Sequence, residues 1–268
     1  MKDIQDFASM IRRLSLHMVH RAKASHIGSA LSIADIVAVL YSQVLKIDPN
    51  KPKLDSRDRF ILSKGHACVA VYSALAARGF FPESQLEYYA KDHSNMMSHI
   101  SHKVAGVEFS TGSLGHGLPF GTGKALAAKK LDKSWRTFVL LSDGELGEGS
   151  NWEAMMFAAH HQLDNLVAIV DYNKLQSLTT VDKTLRIEPL ADKARAFGWA
   201  VREVDGHDHP SIFELLNFGP WEPGKPSFLI AHTTKGKGIS FMENKVEWHY
   251  KSPSDEQLEL ALKELAHA

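Results

Sequence analysis

The chain has 268 residues, with 31 lysines and arginines balanced by 31 aspartates and glutamates, so its formal net charge is zero. This balance argues against a nucleic-acid partner or an anionic membrane bound through bulk charge. The single cysteine, Cys68, excludes an intrachain disulfide and a thiolate zinc site. No apolar run reaches the length of a membrane span, and the first residues lack the pattern of a signal peptide. A reduced, cytoplasmic location is therefore expected.

Apolar residues recur at helical spacing in the first part of the chain and predict an amphipathic helix over about residues 4–22. After a polar turn, a second helix is expected from Ile33 to Leu40. A short strand is predicted at Arg59–Leu62, followed by a helix from His66 to Arg78. The stretch from Phe81 to Gly112 lacks periodicity and is expected to be a long loop with one short helix, a kind of loop that is often functional.

The remaining chain alternates strands with helices. Strands are predicted at about 137–141, 166–170, 199–204 and 227–231, and helices at about 117–131, 151–163, 189–197, 210–217 and 255–266. Ser150–Glu153 has the sequence of a capping box, so a helix is expected to begin there, just past the glycines. The alternation predicts an α/β fold with a mainly parallel sheet flanked by helices on both faces. Because no linker or repeat is visible, residues 1–268 are expected to form a single domain.

Oxygen-bearing side chains follow two of the predicted strands at the point where each strand ends. Asp143 and Gly144 follow one strand, and Asn173 follows the next. Open α/β sheets bind ligands at the carboxyl ends of their strands, and hard oxygen ligands can hold Mg²⁺ or Ca²⁺. A glycine at such a turn lets the backbone approach a diphosphate closely. The pattern predicts a site for a metal ion and a diphosphate. The alternative is that Asp143 and Asn173 only shape turns, as many aspartates and asparagines do.

Most of the 15 histidines are expected to be ordinary surface or core residues. His26 and His66 differ because each follows a predicted element and lies near a glycine, where binding sites are commonly built. Near-neutral imidazoles at these positions could exchange protons with a sugar hydroxyl near physiological pH. A zinc site formed by His93, His99 and His102 is disfavoured because the ligand spacing typical of zinc is absent.

The basic segment Lys235–Gly238 is equally compatible with a solvated loop and with a lid or phosphate contact.

The order of Asp143-Gly144, a turn rich in glycine and glutamate, a helix, a strand and Asn173 resembles the thiamin-diphosphate fingerprint. Ser142 stands where that fingerprint usually has its first glycine, so a tight backbone conformation there would be strained. Further segments resemble transketolases in the same order, and the resemblance covers almost the whole chain. These segments are Lys23–Gly28, Leu62–His66, Ser110–Gly117 and Asp205–Asp208.

The resemblance to the transketolase family implies thiamin diphosphate and Mg²⁺ as cofactors, with Ca²⁺ as a possible substitute for Mg²⁺. The implied metal ligands are Asp143, the Asn173 side chain and the Leu175 carbonyl oxygen. The residues implied to contact the cofactor are His66, Gly112, Ser113, Leu114, Gly144, Asn173 and His249. The residues implied in catalysis are His26, His66, His99, His249 and Glu148, the last of these at a subunit interface.

The same resemblance implies transfer of a two-carbon ketol unit from a ketose or ketose phosphate to an aldose or aldose phosphate. Full-length transketolases also carry a pyrimidine-binding region whose glutamate activates the cofactor, and no segment here resembles it. We therefore expect an N-terminal subunit that is completed by a separate C-terminal subunit, in an α₂β₂ assembly. A truncated piece of a longer protein would show the same pattern. Pentose phosphates, branched sugars and sulfonated sugars are all compatible substrates.

Three alternatives remain open at this point. The first is another thiamin-diphosphate enzyme, such as a 2-oxoacid dehydrogenase E1 α-subunit or a relative of deoxyxylulose-phosphate synthase. The second is a non-catalytic subunit that only binds the cofactor. The third, a plain metal-dependent hydrolase, is disfavoured because the sequence shows no paired carboxylates or dimetal spacing.

Overall fold

The computed structural model describes residues 4–266, which are organised around one five-stranded sheet. The strands are β1 (Arg59–Leu62), β2 (Thr137–Ser142), β3 (Leu166–Tyr172), β4 (Ala200–Asp205) and β5 (Ser227–His232). They lie in the order β1-β2-β3-β5-β4, and every neighbouring pair is parallel. The inner strands are buried along almost their whole length, as expected for a parallel sheet that is covered on both faces.

Helices cover both faces of the sheet. They are α1 (Ile4–Ala22), α2 (Ile27–Ser32), α3 (Ala34–Val39), α4 (Cys68–Ala77), α5 (Gly117–Lys130), α6 (Gly149–His160), α7 (Val181–Thr184), α8 (Leu190–Ala196), α9 (His209–Asn217) and α10 (Asp255–Ala266). Side chains of β2 alternate between two hydrophobic clusters: Phe138 and Leu140 pack with residues of α1 to α4, whereas Val139 and Leu141 pack with residues of α5, α6 and α8. The predicted α/β class, with helices on both faces, is confirmed.

Most predicted elements are confirmed to within a few residues, and two local predictions need correction. The helix expected from Ile33 continues through Leu40–Val44 as a π-helical turn. The capping box at Ser150–Glu153 is wrong, because α6 begins at Gly149 and Glu148 occupies the N-cap position. The Ser150 hydroxyl instead donates a hydrogen bond to the carbonyl oxygen of Gly115, at 2.6 Å. A contact between distant parts of the chain therefore replaces the local one.

No helix within residues 4–266 combines the length and apolar character that crossing a membrane requires.

Two glycines of α5 allow a matched test of how this helix packs. A Cβ on Gly121 would lie 2.4 Å from Cγ2 of Val139 on β2, whereas a Cβ on Gly123 would meet nothing within 4 Å. We expect Gly121→Ala to lower the free energy of unfolding by about 1–3 kcal/mol through overpacking. Gly123→Ala should raise it by about 0.5–1 kcal/mol through its higher helix propensity. Urea unfolding measures both values, and equal effects would contradict the close approach of α5 to the sheet.

Candidate functional site

The turns that follow β2 and β3 are joined by hydrogen bonds, because these strands are neighbours in the sheet. The carboxylate of Asp143 accepts hydrogen bonds from the backbone N–H groups of Gly144, at 2.7 Å, and of Lys174, at 2.5 Å. Oδ1 of Asn173 accepts one from the backbone N–H of Leu175, at 3.0 Å. The residues predicted to bind a metal therefore lie on two connected turns at the carboxyl edge of the sheet.

A cavity of about 250 Å³ opens at this edge. Asp143, Gly144, Asn173 and Leu175 line it together with residues from loops after β1 and β5 and from the C-terminal part of the chain. Two larger surface depressions, of about 770 and 710 Å³, adjoin the long loop after α4 and contain none of the predicted site residues. The smaller cavity is where the predicted metal-binding and cofactor-binding residues converge.

Asp143 carries the charge that a bound cation would balance. Burial, reinforced by the charge of Asp171, raises the pKa of Asp143 to about 7. Within residues 4–266, no group of three or more His, Cys, Asp or Glu side chains is arranged to hold a metal. The candidate ligand set is accordingly one carboxylate with an amide oxygen and a carbonyl oxygen, a hard-oxygen set that suits Mg²⁺ or Ca²⁺. These residues fit the implied metal.

The raised pKa of Asp143 has a measurable effect on stability. The native protein binds a proton on Asp143 more tightly than the unfolded chain does, because the pKa of an unfolded aspartate is about 3.9. The free energy of unfolding therefore falls as pH rises from the unfolded pKa to the native pKa of Asp143, about 7. Asp143→Asn has no titrating group at this position. We therefore expect the stability of the variant relative to the wild type to increase by about 2–4 kcal/mol from pH 4 to pH 8. Urea unfolding in chelator measures this shift, and a constant difference would contradict it.

Asp171 is a fully buried carboxylate beneath the cavity that sequence reasoning did not identify. It accepts hydrogen bonds from Lys64 Nζ at 2.5 Å, Ser32 Oγ at 2.6 Å and Asn173 Nδ2 at 3.0 Å, as well as from the Thr233 hydroxyl. Burial alone would raise the pKa of Asp171, but the charge of Lys64 and these hydrogen bonds hold it below its usual value. A carboxylate only accepts hydrogen bonds, so the NH₂ group of Asn173 must face Asp171. Oδ1 of Asn173 then faces the turn that contains Leu175.

Lys235 is not part of a solvated loop: its residue exposure is 1%. Its ammonium donates hydrogen bonds to the carbonyl oxygens of Leu175 and Gln176, both at 3.1 Å, and to Nδ1 of His249, at 3.0 Å. Burial, with a further contribution from the charge of Lys64, lowers the pKa of Lys235 to about 8. The side chain remains largely charged near pH 7 and places a cation in the cavity wall, where its charge can stabilise a bound anion.

The Asp205–Asp208 segment supports the Lys235 loop from outside the cavity. Nδ1 of His207 lies 2.7 Å from Oδ2 of Asp35, and Nε2 accepts a hydrogen bond from the backbone N–H of Thr234, at 2.9 Å. Arg12 also contacts Asp35, at 3.1 and 2.5 Å. This network connects α1 and α3 to the residue that precedes Lys235 in the chain.

The four predicted catalytic histidines lie together, and His66 and His249 line the cavity. The ring centroid of His26 is 5.1 Å from that of His66, 5.7 Å from that of His99 and 5.1 Å from that of His249. His26 adopts a left-handed backbone conformation with φ of 75°, and its N–H donates to the carbonyl oxygen of His249, at 2.8 Å. A non-glycine residue held in this region is a form of strain that concentrates at functional sites.

Burial lowers the pKa values of all four imidazoles below the ordinary value of histidine. Burial lowers the pKa of His26 to about 4 and that of His249 to about 3, and neighbouring positive charges reinforce both shifts. The pKa of His66 is also well below its ordinary value, chiefly through burial. The cluster is therefore neutral at pH 7, and its rings act as hydrogen-bond donors and acceptors rather than as cations.

The remaining predicted residues occupy different positions around the site. Leu114 lines the cavity, and a Cβ on Gly112 would lie 3.9 Å from Cδ2 of His99. Ser113 is exposed on the same loop. Glu148 is exposed at the start of α6 and does not line the cavity, which leaves its side chain available at the surface.

Ser142 is the last residue of β2 and also lines the cavity. The residues with positive φ among 4–266 do not include Ser142, so the strain considered for this replacement of glycine does not arise.

A five-stranded parallel sheet with helices on both faces, matched by solved transketolases, is the thiamin-diphosphate-binding fold. Residues 4–266 match the family model described as the thiamine diphosphate binding domain of transketolase. The chain therefore belongs to the transketolase family.

Relatives of similar length and longer solved structures both match the chain. It is 44% identical over 266 residues to an apulose-4-phosphate transketolase subunit from Actinobacillus succinogenes, covering 98% of this chain and 96% of that relative. It is 39% identical over 264 residues to the 6-deoxy-6-sulfo-D-fructose transketolase subunit SqwG of a Clostridium species, with the same two coverages. The solved transketolase from Leishmania mexicana matches with a TM-score of 0.94 and 28% identity over 99% of this chain, which spans 42% of that protein.

Proposed function

We propose that this chain is the N-terminal, cofactor-binding subunit of a two-chain transketolase. The observation that carries the proposal is the juxtaposition, at one edge of the sheet, of a cation-type oxygen site and a cluster of neutral histidines. The relatives of nearly equal length support it, because they are named as subunits of transketolases. In this proposal the chain forms one domain, located in the cytoplasm, and the complete enzyme moves a two-carbon ketol unit from a ketose to an aldose.

Mg²⁺, or Ca²⁺ in its place, would be held by Asp143, Oδ1 of Asn173 and the carbonyl oxygen of Leu175. The backbone N–H of Gly144 and the ammonium of Lys235 would bind the diphosphate, a role that the buried positive charge of Lys235 suits. The loop Gly112–Leu114 would lie along the cofactor. When bound, thiamin diphosphate supplies the nucleophile needed to cleave and form a carbon–carbon bond.

The histidine cluster would handle the oxygen atoms of the sugar. Because burial keeps them neutral, His26, His66 and His249 can each donate a hydrogen bond to an oxygen on which negative charge develops. They can also pass a proton between hydroxyl groups. His99, which lies beside His26 at a ring distance of 5.7 Å, would contact a sugar hydroxyl.

The partner would be a separate C-terminal subunit that carries the pyrimidine-binding domain, in an α₂β₂ assembly. The exposed Glu148 would lie at an interface between subunits. Substrates would be sugars or sugar phosphates, and the relatives named for apulose 4-phosphate and for 6-deoxy-6-sulfo-D-fructose support candidates other than pentose phosphates.

Assaying the chain with and without its C-terminal partner tests the proposal. We expect no ketol transfer from the chain alone and turnover when the two polypeptides are mixed with thiamin diphosphate and Mg²⁺. Full turnover by this polypeptide alone would overturn the two-chain proposal. Turnover of 2-oxoacids instead of ketoses would assign the site to another class of thiamin enzyme.

A further inference from the structure

Ser142 is held at the cavity by two reciprocal hydrogen bonds with Glu145, one through its backbone N–H and one through its hydroxyl oxygen. The backbone N–H of Ser142 donates to Oε2 of Glu145, at 3.2 Å, and the Oγ atom of Ser142 accepts from the backbone N–H of Glu145, at 3.3 Å. Both bonds fall within the turn that carries Asp143 and Gly144. The position of Oγ is therefore fixed relative to the residues proposed to bind the metal and the diphosphate.

Glu145 is itself a rigid support for this arrangement. Its side chain is fully buried, and Oε1 accepts hydrogen bonds from Ser63 Oγ, at 2.5 Å, and from the backbone N–H of Gly115, at 2.9 Å. Ser63 follows β1, and Gly115 belongs to the loop that contributes Leu114 to the cavity wall. One carboxylate thus holds the exits of β1 and β2 and the loop before α5, which leaves Ser142 little freedom to move.

The hydrogen atom of the Ser142 hydroxyl is available for a ligand. A hydroxyl group has one hydrogen to donate and two lone pairs, and the bond from Glu145 uses only a lone pair. None of the hydrogen bonds found among residues 4–266 has Ser142 Oγ as its donor. Since Ser142 shares the cavity wall with Asp143, Gly144 and Lys235, an anionic oxygen bound there would be its natural acceptor.

We propose that Ser142 is a further ligand-binding residue, whose hydroxyl donates a hydrogen bond to a phosphate oxygen of the diphosphate group in this cavity. The proposal rests on the proposed function, because it requires the diphosphate site at Asp143 and Gly144. A hydrogen bond from a hydroxyl to a charged phosphate oxygen is stronger than one between neutral groups. It also adds a contact that a glycine at this position cannot make.

Calorimetric titration of the full chain with inorganic pyrophosphate and Mg²⁺ tests the assignment without requiring enzyme activity. We expect Ser142→Ala and Ser142→Gly each to weaken binding by about tenfold, because both lack the hydroxyl. Ser142→Thr should stay within about threefold of the wild type, since it retains the donor. Thiamin diphosphate should show the same relative losses as pyrophosphate, because the lost contact is to the phosphate part common to both.

Two comparisons separate the possible failures. If Ser142→Ala or Ser142→Gly binds pyrophosphate as tightly as the wild type, the hydroxyl does not contact the ligand and the Ser142 proposal is overturned. Asp143→Ala serves as the parallel variant for the site as a whole: if it retains metal-dependent binding, the proposed cofactor site fails and the Ser142 assignment fails with it. Thermal unfolding of each unliganded variant confirms that any lost affinity is measured on folded protein.

Discussion

Replacing Asp143 with alanine is expected to abolish the metal-dependent binding of thiamin diphosphate, with a loss of at least about 100-fold in affinity. Asp143 is the one carboxylate in the proposed ligand set, and it is buried in the wall of the cavity. Without it, the cation would face only an amide oxygen and a carbonyl oxygen from the protein. Isothermal calorimetry with thiamin diphosphate in Mg²⁺ and in chelator measures the effect.

Asp182→Ala provides the control for this experiment. Asp182 belongs to α7, is exposed and does not line the cavity, so its removal changes the charge of the protein by the same amount without touching the site. We expect the control to bind the cofactor as the wild type does. Unchanged affinity in Asp143→Ala would show that the ligand assignment is wrong.

The second large effect is expected from Asp171→Ala, which should lower the free energy of unfolding by about 3–5 kcal/mol. The ion pair of Lys64 and Asp171 is almost completely inaccessible, with side-chain exposures of 1% and 0%. Removing the carboxylate leaves the buried ammonium of Lys64 without its counter-charge. It also frees the amide of Asn173 from the hydrogen bond that orients it, so the variant that still folds should bind Mg²⁺ more weakly.

The surface ion pair of Lys129 and Asp164 is the matched control for stability. Its side chains are 37% and 26% exposed, and Lys129→Ala should therefore cost about 0–1 kcal/mol. Urea unfolding at pH 7 compares the two variants. Similar losses in both would contradict the account of Lys64 and Asp171 as a buried, mutually dependent pair.

The parts of the fold that local sequence patterns specify could be predicted. The apolar runs that became β2 and β3 are continuous because both faces of the sheet are covered, and their polar exits Asp143 and Asn173 follow directly. The glycines near His26 and His66 also marked the turns where these rings lie. Each of these signals is contained within a few neighbouring residues.

The residues that were missed, and Lys235, whose role was left open, depend on contacts between distant parts of the chain. Lys64 and Asp171 are separated by 107 positions, and Lys235 reaches the carbonyl oxygen of Leu175 across 60. A lysine in such a pair has the same local sequence as a solvated one, so only the tertiary structure distinguishes them. The incorrect capping box at Ser150 has the same cause, because the Ser150 hydroxyl donates its hydrogen bond to the distant carbonyl oxygen of Gly115.

The two lysines and two aspartates around the cavity have a consequence for how the site fills. Lys64 and Lys235 offset Asp143 and Asp171, so these four side chains together carry no net charge when all are ionised. A divalent ion entering alone would leave a surplus of positive charge in a poorly solvated space, and a diphosphate entering alone would leave the opposite surplus. If the proposed function holds, we expect the ion and the coenzyme to enter together as a complex, so that each strongly promotes the uptake of the other.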